Sequence, residues 1–175
     1  EAASKLGLGG WPTRIQSTFR DFDAVVSRRF PDARFETPCP FARRAIVRAY
    51  DAPICLLVEV PPFRGTSGDA VELRAATHVA LAVPRVELTP ETILGRDIEV
   101  GDPTFDGLFD VIGSPDDARR VLVAEVRAAL VRLAWHDVPT VAIGDGRAEI
   151  AWTYEPTRDA FEDASRALAA LRKLD

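Results

Sequence analysis

An amphipathic pattern in the middle of the chain most limits what this protein can fold into. Apolar residues recur there at offsets of 0, 4, 7, 8 and 11, the spacing of one side of an α-helix. Ser114 is a good N-cap and Pro115 suits the first helical position. The pattern predicts one helix from Ser114 to His136, which must cover a sheet or another helix with these residues: Leu122, Val126, Ala129, Leu130 and Leu133.

Alternating apolar and polar residues on both sides of this helix predict β-strands. Asp145-Gly146 separates two such runs, residues 138–144 and 147–154, and Asp-Gly between alternating residues is a strong hairpin signal. Asp51-Ala52-Pro53 is a second turn signal between two apolar runs. The remaining predicted strands cover residues 43–50, 54–60, 70–75, 78–83, 96–100 and 109–112.

Two further helices are predicted near the ends of the chain. Thr13 and Gln16 form a capping box that opens a helix over residues 13–29, and an apolar stripe beginning at Phe161 predicts a helix over residues 156–174. Strands joined by tight turns pair antiparallel. We therefore expect a single α+β domain over residues 1–175, with a loosely ordered tail at 1–12. Its antiparallel sheet should have about five to seven strands, with helices packed mainly on one face.

Composition narrows the class of protein. The net charge of −5 argues against nucleic-acid binding, and no run approaches the roughly 20 apolar residues of a membrane span. Two cysteines, Cys39 and Cys55, do not make a disulfide framework, so we expect a cytoplasmic protein with reduced thiols. The chain does not begin with Met. The sequence therefore leaves open that an upstream membrane anchor was removed, and with it a location at the cytoplasmic face of a membrane.

Charge is distributed unevenly along the chain. Residues 12–48 carry eight Arg against four acids, whereas residues 85–117 carry two Arg against nine acids. One interpretation is two solvated surfaces. The other is a dipolar molecule that pairs with a protein partner or with a copy of itself.

Candidate catalytic and metal-binding residues are few. Asp102, Asp106 and Asp110 recur every four residues, but they lack the spacing of a calcium loop, so a turn-forming role is favoured over a carboxylate cluster. The only histidines are His78 and His136, and they lie too far apart in sequence to indicate a zinc site. We therefore predict no catalytic residues, no metal and no cofactor.

The segment Gly101–Asp106 (GDPTFD) also carries a resemblance. Together with the strand that follows it, the acidic helix start after Ser114 and the run Glu125–Leu130, it resembles an uncharacterised bacterial domain family with a G-D-x-x-F-D segment. The resemblance implies frequent association with membranes through upstream apolar segments, and it supplies no catalytic residues. In this segment we expect glycine to give backbone freedom, aspartate to cap and phenylalanine to fill the core, which makes a structural turn of Gly101, Asp102, Phe105 and Asp106.

Two functions from different classes follow. The first is a non-enzymatic domain for protein interaction or self-assembly, suggested by the uneven charge and the lack of a convergent polar cluster. The alternative is a small-molecule-binding domain or a hydrolase. Its pocket would lie between the sheet and the C-terminal helix, lined by Trp152, Tyr154 and Phe161.

Overall fold

The computed structural model describes residues 11–60, 71–80, 85–92, 98–135, 137–153 and 160–174. These residues form five helices and eight strands. The helices are α1 Trp11–Arg29, α2 Pro103–Asp106, α3 Pro115–Val121, α4 Ala124–Ala134 and α5 Phe161–Arg172. The strands are β1 Arg34–Cys39, β2 Ala42–Ala49, β3 Ala52–Glu59, β4 Glu72–His78, β5 Val86–Pro90, β6 Phe109–Ile112, β7 Thr140–Gly144 and β8 Arg147–Thr153.

All eight strands belong to one antiparallel sheet, in the order β1-β2-β3-β4-β8-β7-β5-β6. Side chains alternate between the two faces of a sheet, so residues that are aligned across the strands share a face. One aligned row crosses the whole sheet and is buried from β2 to β6. It consists of Phe35, Ala45, Leu56, Ala75, Ile150, Val141, Leu88 and Val111.

The helices cover the face that carries this row. Helix α5 packs on β2, β3, β4 and β8, α4 packs on α5, and α1 packs on β2. Aromatic rings pack where the helices meet the sheet. Phe22 of α1 and Trp152 of β8 both contact Phe161 edge to face, at centroid distances of 6.2 and 6.3 Å. Full burial of such a side chain stabilises by roughly 1.5–3 kcal/mol. The prediction of an α+β fold with helices on one face of an antiparallel sheet is confirmed.

The sheet has eight strands, more than the five to seven predicted, and two of them, β1 and β5, lie outside the predicted strand ranges. Strand β1 has the sequence RFETPC, which contains a proline, and only Phe35 among its side chains is even partly buried. It lies at the edge of the sheet, where a strand needs no apolar alternation to be held in place. Its pairing with β2 is interrupted by a register shift between Glu36 and Cys39.

The prediction of one central helix from Ser114 to His136 is wrong about its continuity. The chain forms two helices, α3 and α4, separated at Leu122 and Val123, where Val123 is extended with ψ of 161°. The break allows Val121 and Leu122, which are adjacent in sequence, both to be fully buried. Arg127 Nη1 donates to the Leu122 carbonyl at 2.5 Å, so an oxygen that the break removes from the helical ladder keeps a partner.

Other predicted boundaries also differ from the structure. The prediction of a hairpin with strands over residues 70–75 and 78–83 is wrong for the end of the first strand, because Glu72–His78 is one continuous strand. The strand predicted over residues 96–100 is wrong for residues 98–100, which form no strand. Several predictions lie outside the described residues: the tail 1–10, residues 81–83, His136, Tyr154 and the start of the last helix at 156–159.

Two hairpin turns contain residues with positive φ. The Asp145-Gly146 turn between β7 and β8 has φ of 52° and 73°, as the Asp-Gly signal predicts. The turn between β2 and β3 has the same form but is built from Tyr50 and Asp51, with φ of 49° and 63°. The first turn has a glycine at one of its two positive-φ positions and the second has none, so the second turn carries more backbone strain.

Replacing Asp51 with glycine should relieve part of this strain. The strain energy that is relieved at the left-handed position exceeds the entropic cost of ordering glycine on folding. Asp51→Gly should therefore raise the free energy of unfolding by about 0.5–1 kcal/mol. Thermal unfolding of the two proteins measures the difference. The matched change in the other turn, Gly146→Ala, should destabilise by about 1 kcal/mol, because alanine would need φ of +73°. A lower melting temperature for Asp51→Gly would contradict the strain.

Candidate functional site

The segment from Gly101 to Asp106 is held by one carboxylate. Asp106 accepts hydrogen bonds from three successive backbone N–H groups, those of Val100 (2.9 Å), Gly101 (3.0 Å) and Asp102 (2.9 Å). Gly101 has φ of +81°, the left-handed conformation that glycine adopts without penalty. The carboxylate therefore closes a tight turn just before α2.

Asp102 links this turn to helix α4. Its carboxylate caps α2 by accepting from the Phe105 N–H at 3.3 Å, and it also accepts from Arg127 Nε at 3.1 Å. The bond from the Phe105 N–H, together with Arg127, lowers the pKa of Asp102 below its usual range. Arg127 belongs to α4, so this bridge joins two segments that lie 25 residues apart in sequence.

The aromatic residues of the segment point into the core. Phe105 and Phe109 are fully buried, with ring centroids 4.8 Å apart. The third acid, Asp110, does not join the first two. It accepts from the Thr92 N–H and hydroxyl at 3.0 and 2.8 Å. Within the described ranges, no group of three or more His, Cys, Asp or Glu is arranged to hold a metal ion.

Removing the Asp106 carboxylate should destabilise the fold. Asp106→Ala leaves three N–H groups without their acceptor, and we expect a loss of about 2–4 kcal/mol in the free energy of unfolding, measured by chemical denaturation. Asp116→Ala is the matched control, since the Asp116 side chain is 97% exposed and, among the described residues, pairs only with Arg119. That control should change the same quantity by less than about 0.5 kcal/mol. Equal effects of the two changes would rule out the closing role of Asp106.

The Asp102 carboxylate should make stability depend on pH. A pKa that is lowered in the folded state gives stability that is present above the unfolded value, near pH 4, and is lost as pH falls through the folded pKa. Asp102→Asn keeps the cap but removes the charge, so it should destabilise by about 0.5–1 kcal/mol at pH 7. Urea unfolding of both proteins from pH 7 to pH 2 checks this: the difference should shrink below about pH 4. A difference that is constant over the whole range would count against the charge.

Two of the three residues predicted to line a pocket are in the core. Trp152 is 6% exposed and Phe161 is 1% exposed, and their rings touch each other. The side chains that the prediction placed around a ligand thus pack against one another. Tyr154, the third, lies outside the described residues.

The cysteine and histidine side chains do not form a reactive pair in the described part of the chain. Cys55 is half-buried on β3, and burial raises the pKa of its thiol, which favours the unreactive protonated form. Cys39 is exposed on the edge strand β1. His78 is exposed at the end of β4.

The sheet face opposite the helices, which we call the open face, is not covered by any of the described helices. Its middle row consists of Arg34, Ile46, Cys55, Ala76, Glu149, Ala142, Glu87 and Ile112. Ile46 and Ile112, near the two ends of this row, are 40% and 52% exposed. Between them lie small side chains and a charge network in which Arg74 reaches Glu72 (2.7 Å), Glu59 (3.5 Å) and Glu149 (3.8 Å).

The two charged parts of the sequence lie at opposite edges of this sheet. Residues 12–48, which are rich in Arg, include α1, β1 and β2 at one edge. Residues 85–117, which are rich in acids, include β5, α2 and β6 at the other edge. The fold thus converts an uneven sequence into a charge dipole across the sheet.

Both sheet edges are poor templates for adding another strand. At one edge, β1 has a register shift before Cys39, and Pro38 lies inside it. Irregular pairing and proline are common ways in which edge strands avoid pairing with other chains. At the other edge, the Ile98 N–H donates to the Val111 carbonyl of β6 at 3.2 Å. The broad face is therefore more accessible to a partner than the edges.

A groove at the corner of the sheet brings together charged residues from distant parts of the sequence. It has a volume of about 460 Å³, and we call it the arginine groove. Its walls are Asp32, Arg34, Ile46, Val47, Arg48, Asp51, Pro53 and Arg172. Sequence reasoning missed it, because its three arginines come from β1, β2 and the end of α5 and share no spacing.

A second, smaller groove of about 280 Å³ lies near the β7–β8 turn. It contains Arg85 and Arg147, which pair with Glu87 and Glu149 respectively. Its arginines are thus neutralised within the chain.

Comparison with known proteins adds no relative. No family model, no curated protein and no solved structure matches this chain. The resemblance of Gly101–Asp106 and its surroundings to the uncharacterised bacterial family stays a prediction. Within the described residues, no helix combines the length and the apolar character that crossing a bilayer requires.

Proposed function

We propose that this chain is a non-enzymatic interaction domain that assembles with a second copy of itself through the open face. The observation that supports this most directly is the charge dipole: the face is exposed, and the edges that flank it carry opposite charge. A molecule of this kind is complementary to a copy of itself in the right orientation.

The charge dipole favours one symmetry over another. Strands β4 and β8 are the fourth and fifth of the eight in the sheet, so its middle lies between them. A two-fold axis parallel to the strands at this point places the β1–β2 edge of one copy, which carries Arg34 and Arg48, over the β5–β6 edge of the other, which carries Glu87. An axis perpendicular to the strands places like charges together, which is unfavourable.

The size of the face is sufficient for a dimer. Eight strands spaced about 4.8 Å apart span about 34 Å, and six residues at about 3.3 Å each span about 20 Å. The face therefore offers about 700 Å² per copy, close to the roughly 800 Å² per partner of a standard interface. Small side chains near the middle, Ala76, Ala142 and Ala151, allow two sheets to approach closely.

The alternative function, a small-molecule-binding domain or hydrolase with a pocket at Trp152, Tyr154 and Phe161, has less support. The direct contact between the Trp152 and Phe161 rings is that of a packed core. It stays a prediction, because Tyr154 lies outside the described residues.

Self-association should respond to a single change on the open face. Ala142 lies between Glu87 and Glu149 on neighbouring strands, so an arginine there is tolerated in the monomer but obstructs a facing sheet. We expect Ala142→Arg to weaken dimerisation at least about tenfold, measured by sedimentation velocity over a concentration series. The wild-type dimer should also weaken between about 0.05 M and about 0.5 M salt, as charge attraction is screened.

The control for this experiment is Ala128→Arg, the same change at an exposed position on α4 away from the sheet. It should leave dimerisation unchanged. If the wild-type protein remains a monomer at about 1 mM in low salt, the proposal is wrong, since such a dimer would be weaker than specific interfaces of this size.

Cross-linking tests the orientation separately. Arg34→Cys on β1 and Ile112→Cys on β6, which lie in the same row of the open face, are made in different proteins that lack Cys39 and Cys55, and the two proteins are then mixed. A two-fold axis along the strands predicts links between positions 34 and 112, whereas links between two copies of position 34 would contradict it.

A further inference from the structure

We propose that the arginine groove is a binding site for the phosphate group of a small phosphorylated molecule. The groove lies where β1 begins and β2 ends. Its volume of about 460 Å³ is within the range of small-molecule sites. The chemistry of its walls, rather than its size, indicates the ligand.

The three arginines of the groove have no partner within the described residues. Arg34, Arg48 and Arg172 make no hydrogen bond or ion pair there, although all three line the same groove. Elsewhere ion pairs are the rule for this chain. In the part of the chain that the structure describes, arginines that pair with an acid include Arg29, Arg43, Arg44, Arg74, Arg85, Arg119, Arg127, Arg132, Arg147 and Arg166.

Three arginines that line one groove suit a phosphate better than a carboxylate. Each guanidinium presents several N–H donors in a planar fork, and one fork already satisfies the two oxygens of a carboxylate. A phosphate monoester has three terminal oxygens in a tetrahedral arrangement. It can therefore accept from more than one arginine, and the arginines here come from two strands and a helix end.

The other residues that line the groove indicate the chemistry of the rest of the ligand. Asp32 and Asp51 also line the groove and accept no hydrogen bond within the described part of the chain. They reduce the net charge of the five ionised groups to +1, which disfavours highly charged polymers. Their carboxylates are suited to hydroxyl or amine donors beside the phosphate, and Ile46 and Pro53 offer apolar contact to the body of the molecule.

Binding can be measured by calorimetry and by NMR of the arginine Nε–H groups, with inorganic phosphate and phenyl phosphate as probes. We expect saturable binding of both, tighter for phenyl phosphate because of its apolar body. Arg48→Gln and Arg172→Gln should each weaken binding at least about tenfold, since each removes a charged donor. Circular dichroism checks that both variants remain folded.

The matched control is the second groove. Arg85→Gln and Arg147→Gln remove arginines of the same sheet that already pair with Glu87 and Glu149, and they should leave the affinity for phosphate unchanged. Equal weakening by the control variants would overturn the proposal, as would the absence of saturable binding at about 50 mM probe.

Two further measurements distinguish a small-molecule site on one chain from a lipid-binding surface and from a site that needs the dimer. Vesicles that contain phosphatidic acid test a lipid source of the same group: binding to vesicles but to neither small probe would overturn the proposal. The titration is repeated with Ala142→Arg, in which the proposed dimer is disrupted. Arg34 and Ile46 belong to both the groove and the open face, so the dimer would compete with phosphate for them. Binding that is retained or tightened in Ala142→Arg would support a groove that acts within a single chain, and binding lost there would overturn it.

Discussion

The structure depends on the register of one antiparallel sheet. The aligned row from Phe35 to Val111 includes a residue of every strand, and this alignment turns all eight of these side chains toward the helices. A slip of one residue in any strand would move its buried side chains to the open face. The same register assigns the charged residues of the alternating pattern to the open face, so the core and the proposed interface have a common origin.

Local patterns predicted the elements whose burial or turn chemistry is visible in a short window. The Asp145-Gly146 hairpin and the stripe of α5 that begins at Phe161 were found because alternation, a favoured turn pair and helical spacing each leave a local signature. Strand β1 left none, since its pairing with β2 and the contact of Phe35 with Phe22 hold it without an alternating pattern. The break at Leu122 was missed for a different reason. Its residues favour a helix, and tertiary burial overrides that preference.

The candidate sites also differ in whether a local sequence pattern could predict them. The part played by Asp102 and Asp106 could be anticipated, because both act on backbone groups within a few residues of themselves. The unevenness of charge was also visible, but its arrangement across the sheet depends on strand order, which the sequence pattern does not specify. The arginine groove could not be predicted from the sequence, because Arg172 lines the same groove as Arg34 and Arg48 only in the folded chain.

Arg127 has a wider consequence than its position on α4 suggests. Its guanidinium binds both the Leu122 carbonyl at the helix break and the Asp102 carboxylate of the turn before α2. The turn, the break and α4 are thus tied at one point, so opening any one of them exposes a charged group without a partner. Segments coupled in this way open together in native-state hydrogen exchange. Residues 100–127 should therefore behave as a single cooperative unit, although α2, β6, α3 and the first turn of α4 make them up.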